Sequence, residues 1–81
     1  MRITWDEPKR LANLAKHGMD FAELDVSFFE TARIAEARDG RFKALGRFAD
    51  GTIAVVFATL GTEAISVISM RPASAAERNL L

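Results

Sequence analysis

The chain has no cysteine and a single histidine in 81 residues. Without cysteine there is no disulfide framework and no thiolate metal site, which suits a reducing compartment. One histidine leaves a zinc site only carboxylates to recruit, so no metal or other cofactor is expected. It also rules out by count any mechanism that needs two imidazoles. Long apolar runs are missing as well: the longest, residues 53–58, is far too short to span a bilayer. The amino terminus, Met1-Arg2-Ile3-Thr4-Trp5-Asp6, lacks the apolar region of a signal peptide. A cytoplasmic protein without membrane contact is the expectation. Net charge is absent too, with 11 cationic and 11 anionic side chains, so the overall basicity of a general nucleic-acid binder is lacking. The balance hides some segregation. Asp20, Glu23, Asp25 and Glu30 cluster without a cation, whereas Arg41, Lys43 and Arg47 follow one another without an anion.

What is present describes one small folded domain over residues 1–81. A composition of 49% hydrophobic and 27% charged residues fits a globular chain rather than a disordered one. At this length only about 60% of the unfolded surface is buried, so a partner would add useful stability. Residues 2–5 read as a strand. Asp6 is placed to cap a helix with Pro8 in its first turn, running to about His17, where Gly18 suits a left-handed cap. A second helix is expected from Asp20, with Glu23 at capping-box spacing and Phe21, Leu24 and Phe28 on its core face.

From Thr31 the apolar period becomes two. Asp39-Gly40, Asp50-Gly51 and Gly61-Thr62 divide four strands at about 31–38, 41–49, 52–60 and 63–70. The third is apolar on both faces and should be central, while the second alternates and should have one wet face. Ser74 to Glu77 has capping-box spacing and opens a final helix. The order β-α-α-β-β-β-β-α implies an α+β fold with helices packed on an antiparallel sheet.

Lys9, Asn13 and Lys16 recur at helical spacing and form one stripe, which ends beside His17. Leu11, Leu14 and Ala15 point the other way and are expected to face the core. The polar stripe suits an anion, and it equally suits solvent.

Trp5-Asp6, Lys9, Asn13, Lys16-His17-Gly18 and Phe21 together resemble the opening of the BrnT family of bacterial toxins. Arg41-Phe42, Leu45-Gly46 and Asp50-Gly51 resemble its middle. Residues 65–71 followed by Ala73, and the Ser74-to-Arg78 segment, resemble its last strand and last helix. The resemblance covers essentially the whole chain in order. It implies a RelE-like fold and a ribonuclease toxin of a type II toxin–antitoxin pair. It further implies neutralisation by a ribbon-helix-helix antitoxin, in a hetero-oligomer with paired toxin chains. Three positions depart from the family: Ser66 and the Leu60-Gly61 region stand where arginines are usual, and Leu81 where a tyrosine is usual. Those departures suggest an alternative, a weakened toxin that serves as an antitoxin-binding co-repressor.

Metal-independent RNA cleavage uses the substrate's 2′-hydroxyl as nucleophile. The protein must help remove its proton, stabilise charge on the phosphoryl group and protonate the leaving 5′-oxygen. Arginine suits the phosphate because its planar fork stays charged, and imidazole suits proton transfer because it titrates near neutrality. The catalytic candidates are therefore Arg71, Arg41, His17 and Glu77, with Lys9, Lys16, Arg47 and Arg78 for RNA phosphate. Each has a structural competitor. His17 could serve the negative end of its helix, Glu77 a capping box, and Trp5 the core rather than a stacked base.

Overall fold

The computed structural model describes residues 1–81. Strand β1 (Arg2–Trp5) leads into helix α1 (Glu7–His17), a 3₁₀ turn (Phe21–Glu23) and helix α2 (Val26–Thr31). Strands β2 (Arg33–Glu36), β3 (Phe42–Phe48), β4 (Gly51–Leu60) and β5 (Ala64–Pro72) follow, and helix α3 (Ala75–Arg78) closes the chain. The sheet order is β1-β5-β4-β3-β2. The apolar strand β4 is central, as its two-faced pattern requires. All neighbours are antiparallel except β1, which pairs parallel with β5 through Ile3 beside Ile65 and Trp5 beside Val67. The helices between them make this parallel return possible. No helix is long and apolar enough to cross a membrane.

The expected second helix is divided in two. Asp20 caps only the 3₁₀ turn, accepting from the Ala22 amide at 2.9 Å. Leu24 is extended, and Asp25 opens α2 by accepting from the Phe28 amide at 3.1 Å. Two competing caps five residues apart break one helix into two short pieces. Phe21, Leu24 and Phe28 are nonetheless buried together against Ala44, Ile53, Val55, Phe57, Val67 and Met70 on one face of the sheet. Phe28 meets Phe29 and Phe48 edge to face, which fixes α2 on β3.

Turn positions follow glycine only in part. Asp39 and Gly40 both have positive φ, 59° and 73°, as a tight turn of two left-handed residues demands. The β3–β4 loop is displaced by one residue from the expected Asp50-Gly51. Phe48 pairs with Gly51, so Ala49 and Asp50 make the turn, with Ala49 at φ 53°. The opposite sheet face is drier than expected. Leu45 and Ala54 are fully buried there, on the face where α3 folds back.

Helix α1 is turned around relative to the expected orientation. Leu11 is 53% and Leu14 38% exposed, and Ala15 is exposed too, while Asn13 is the residue buried against the sheet. The reason lies in β5. Strand β1 pairs only with its first half, up to Val67, and leaves the backbone edge beyond uncovered. The Asn13 amide donates to the Met70 carbonyl at 2.8 Å and accepts from the Met70 amide at 3.0 Å, taking the place of a neighbouring strand. A leucine there would have left both groups unpaired. A third bond to the Met19 carbonyl, 3.0 Å, fixes the turn after the helix. Asn13 is therefore structural and leaves the solvent-facing stripe.

Candidate active site

The cleft of interest forms where α1 lies along the uncovered half of β5. Its lining is Lys9, Ala12, Asn13, Lys16 and His17 from the helix, with Ile68, Ser69 and Arg71 from the strand, around about 420 Å³. That volume lies inside the range of about 300–1,000 Å³ usual for ligand sites. Three cations and an imidazole share it, and no carboxylate is among the lining residues. Lys9 and Lys16 are exposed and form no ion pair, and His17 is half-buried beside the left-handed Gly18 cap.

A bulge shapes the strand wall. Val56 pairs with Ser69 and Phe57 with Val67, so Ile68 is the extra residue. Such an insertion bends a strand and re-aims its side chains, and here it brings Ile68 and Ser69 together to the cleft.

Arg71 is held in place from behind. Its guanidinium grips Glu77 with two hydrogen bonds, Nη1 to Oε1 at 2.7 Å and Nη2 to Oε2 at 2.9 Å. A further bond reaches the Pro72 carbonyl at 3.3 Å. Lys43 Nζ takes the same Glu77 Oε2 at 2.7 Å. Glu77 also closes the expected capping box, accepting from the Ser74 amide at 2.9 Å while its own amide donates to Ser74 Oγ at 3.1 Å. The Arg71 hydrogen bonds, assisted by Lys43 and the Ser74 amide, hold the Glu77 carboxyl well below the usual carboxylate range despite burial. Reciprocally, Glu77 raises the Arg71 guanidinium. An ionised carboxylate this fully engaged does not supply a proton. Glu77 instead ties α3 to the sheet and orients Arg71.

Of the eight residues singled out from the sequence, Lys9, Lys16, His17 and Arg71 meet at this cleft. Glu77 stands behind it. Arg41 does not join them: it is exposed at the turn before β3, four positions from Leu45, whose row through Ala54 contains Arg71. That offset is about 13 Å along the strand, in addition to two strand spacings across the sheet. Arg47 is exposed near the other end of β3, and Arg78 donates to the Ala73 carbonyl at 2.9 Å. Ser66, on the same strand, lies between Thr4 and Ala58 outside the cleft, and Leu81 is exposed. Lys43 and Ser69 were missed. Both were visible in the strand alternation, Lys43 on the cationic face of β3 and Ser69 two residues before Arg71, but the Lys43–Glu77 pair and the place of Ser69 in the cleft depend on the fold.

A second charged cluster braces the far end of α1. Arg10 grips Glu7 through Nε and Nη2, both at 2.7 Å, and reaches both Asp20 oxygens from Nη1 at 3.1 Å. Trp5 Nε1 adds a bond to Glu7 at 3.0 Å, while its ring packs on the core. Hydrogen bonds from Arg10, then Trp5, lower the Glu7 carboxyl to about 2. This cluster fixes the helix at its start as Asn13 fixes it at its middle.

A model of the family described as "Ribonuclease toxin, BrnT, of type II toxin-antitoxin system" matches residues 5–77. The chain belongs to the BrnT family. Its fold is similar to that of the Brucella abortus ribonuclease toxin BrnT, known from a 1.1 Å crystal structure, with TM-score 0.87 and 52% identity. The match covers 91% of this chain and 97% of the Brucella chain. No curated protein matches it. A BrnT ribonuclease toxin of a type II system is what both similarities support, and neither favours the co-repressor alternative. Membership in such a system implies an antitoxin partner.

Proposed function

We propose that this BrnT toxin cleaves RNA in the cleft between α1 and β5, by metal-independent attack of a ribose 2′-hydroxyl on the adjacent phosphate. The observation that carries the reading is the meeting of Lys9, Lys16, His17 and Arg71 around one 420 Å³ opening in a chain with no net charge. Arg71, oriented by Glu77, stabilises the charge that develops on the phosphoryl oxygens. Lys9 and Lys16 hold the flanking phosphates as point charges. His17 is the titratable group for proton transfer, taking the 2′-hydroxyl proton or giving one to the leaving 5′-oxygen. Lys43 pairs with the same Glu77 from behind the cleft and helps hold that carboxylate against Arg71. The antitoxin is of the ribbon-helix-helix class and holds paired toxin chains.

The chemistry fixes the products. Displacement of the 5′-oxygen by the neighbouring 2′-oxygen leaves a 2′,3′-cyclic phosphate on one fragment and a 5′-hydroxyl on the other. Purified toxin is incubated with RNA in excess chelator, and the fragment ends are identified. Cleavage with those ends, abolished by a single 2′-deoxy substitution at the cut site, supports the proposal. Cleavage that stops in chelator, or cuts the 2′-deoxy substrate equally, refutes it.

A further inference from the structure

Helix α1 carries an apolar stripe on the side turned away from the protein. Leu11, Leu14, Pro8, Ala12 and Ala15 are all exposed and fall within one arc opposite Asn13. A surface helix ordinarily buries such an arc and presents its polar side to water. Here the need to satisfy Met70 turns the helix over. The only charge within the arc is Glu7, and Arg10 and Trp5 already engage it.

We propose that this stripe is the docking surface for the antitoxin, which lays an apolar segment with an acidic margin along α1. Two observations select that occupant. First, one margin of the stripe is formed by Lys9 and Lys16, which lack any carboxylate partner, so an acidic margin is complementary to it. Secondly, the stripe is continuous with the cleft, because Ala12 belongs to both. A segment seated on Leu11 and Leu14 therefore brings its acidic edge over the cleft mouth and competes with phosphate there. A second copy fits less well, since a two-fold antiparallel pair of α1 helices sets their lysine margins side by side. The blocking step rests on the proposed catalytic role of the cleft; the docking itself does not.

The test uses the full toxin and the antitoxin encoded beside its gene. Two variants are made, Leu11→Asp with Leu14→Asp, and separately Ala15→Arg, which keeps a helix-favouring residue on the same face. Affinity is measured by calorimetry without RNA, so a toxin that fails to cut RNA leaves the reading intact. The expected result is a loss of about 30-fold or more in affinity, the scale of central interface residues, with the melting temperature retained. Co-expression should then fail to neutralise the variants. If the double variant does not fold, Ala15→Arg alone decides. Unchanged affinity overturns the proposal. So does a dimer of the isolated toxin that the variants convert to monomer, which assigns the stripe to a second copy. Loss of RNA cleavage with normal antitoxin binding likewise overturns it, by assigning the stripe to RNA.

Discussion

Asn13 reads both backbone groups of Met70, donating to its carbonyl at 2.8 Å and accepting from its amide at 3.0 Å, across 57 positions of sequence. One amide side chain thus does the work of an absent strand and sets the angle at which α1 meets β5. Replacing it by alanine leaves two buried backbone groups unpaired, and the expected cost is about 2–4 kcal/mol in chemical denaturation. Asn13→Asp is expected to be at least as harmful, because a carboxylate cannot donate to Met70 or Met19. If both variants match the unaltered protein in stability, the edge-filling role is refuted.

Ala49 turns the β3–β4 hairpin with φ at 53°. An L-residue in the left-handed region is disfavoured by about 1–2 kcal/mol, a penalty that glycine does not carry. Glycine also has more freedom to lose on folding, which offsets part of the gain. Ala49→Gly is therefore expected to raise the denaturation midpoint modestly with cleavage unchanged. A lowered midpoint would show that the turn tolerates alanine without strain.

Acid should destabilise the toxin through its lowered carboxylates, Glu7 and Glu77 together with the capping Asp20 and Asp25. Glu7 and Glu77 have folded values below the ordinary 4.5, Glu7 at about 2 through Arg10 and Trp5, Glu77 lowered chiefly by Arg71. In both cases the unfolded chain binds protons first as pH falls, so the unfolded state is favoured. Their stabilisation is complete above the unfolded value of 4.5 and declines below it, through about 2 for Glu7. Melting temperatures between pH 7 and pH 3 should fall steeply at the acid end. Glu77→Gln should start lower and fall less. An equal slope in the variant would remove Glu77 from the account.

Strand content was legible from period-two patterning, and the central place of β4 from its being apolar on both faces. The residues facing the core from the 3₁₀ turn and α2, Phe21, Leu24 and Phe28, were legible from their helical i, i+3, i+7 spacing, even though Asp25 divides the expected helix. The orientation of α1 was not. Its apolar arc points to solvent, a choice made by the unpaired edge of β5, which no local pattern in residues 7–17 encodes. The cleft was half legible. Lys9, Lys16 and His17 share a helix and could be grouped by spacing, but joining them to Arg71 and excluding Arg41 depends on strand register and the Ile68 bulge. The cationic face carrying Lys43 was visible, but its pairing to Glu77 was not, because it spans 34 positions.

The cleft account is tested most directly by single-turnover RNA cleavage with Arg71→Ala and Arg41→Ala compared side by side, each confirmed as folded. Arg71 lines the cleft and Arg41 does not, so Arg71→Ala should slow cleavage by about 10²–10³, as loss of a transition-state donor does. Arg41→Ala should cut at close to the unaltered rate. A toxin that tolerates loss of Arg71 but is disabled by loss of Arg41 would place the chemistry at the turn before β3 and contradict the account.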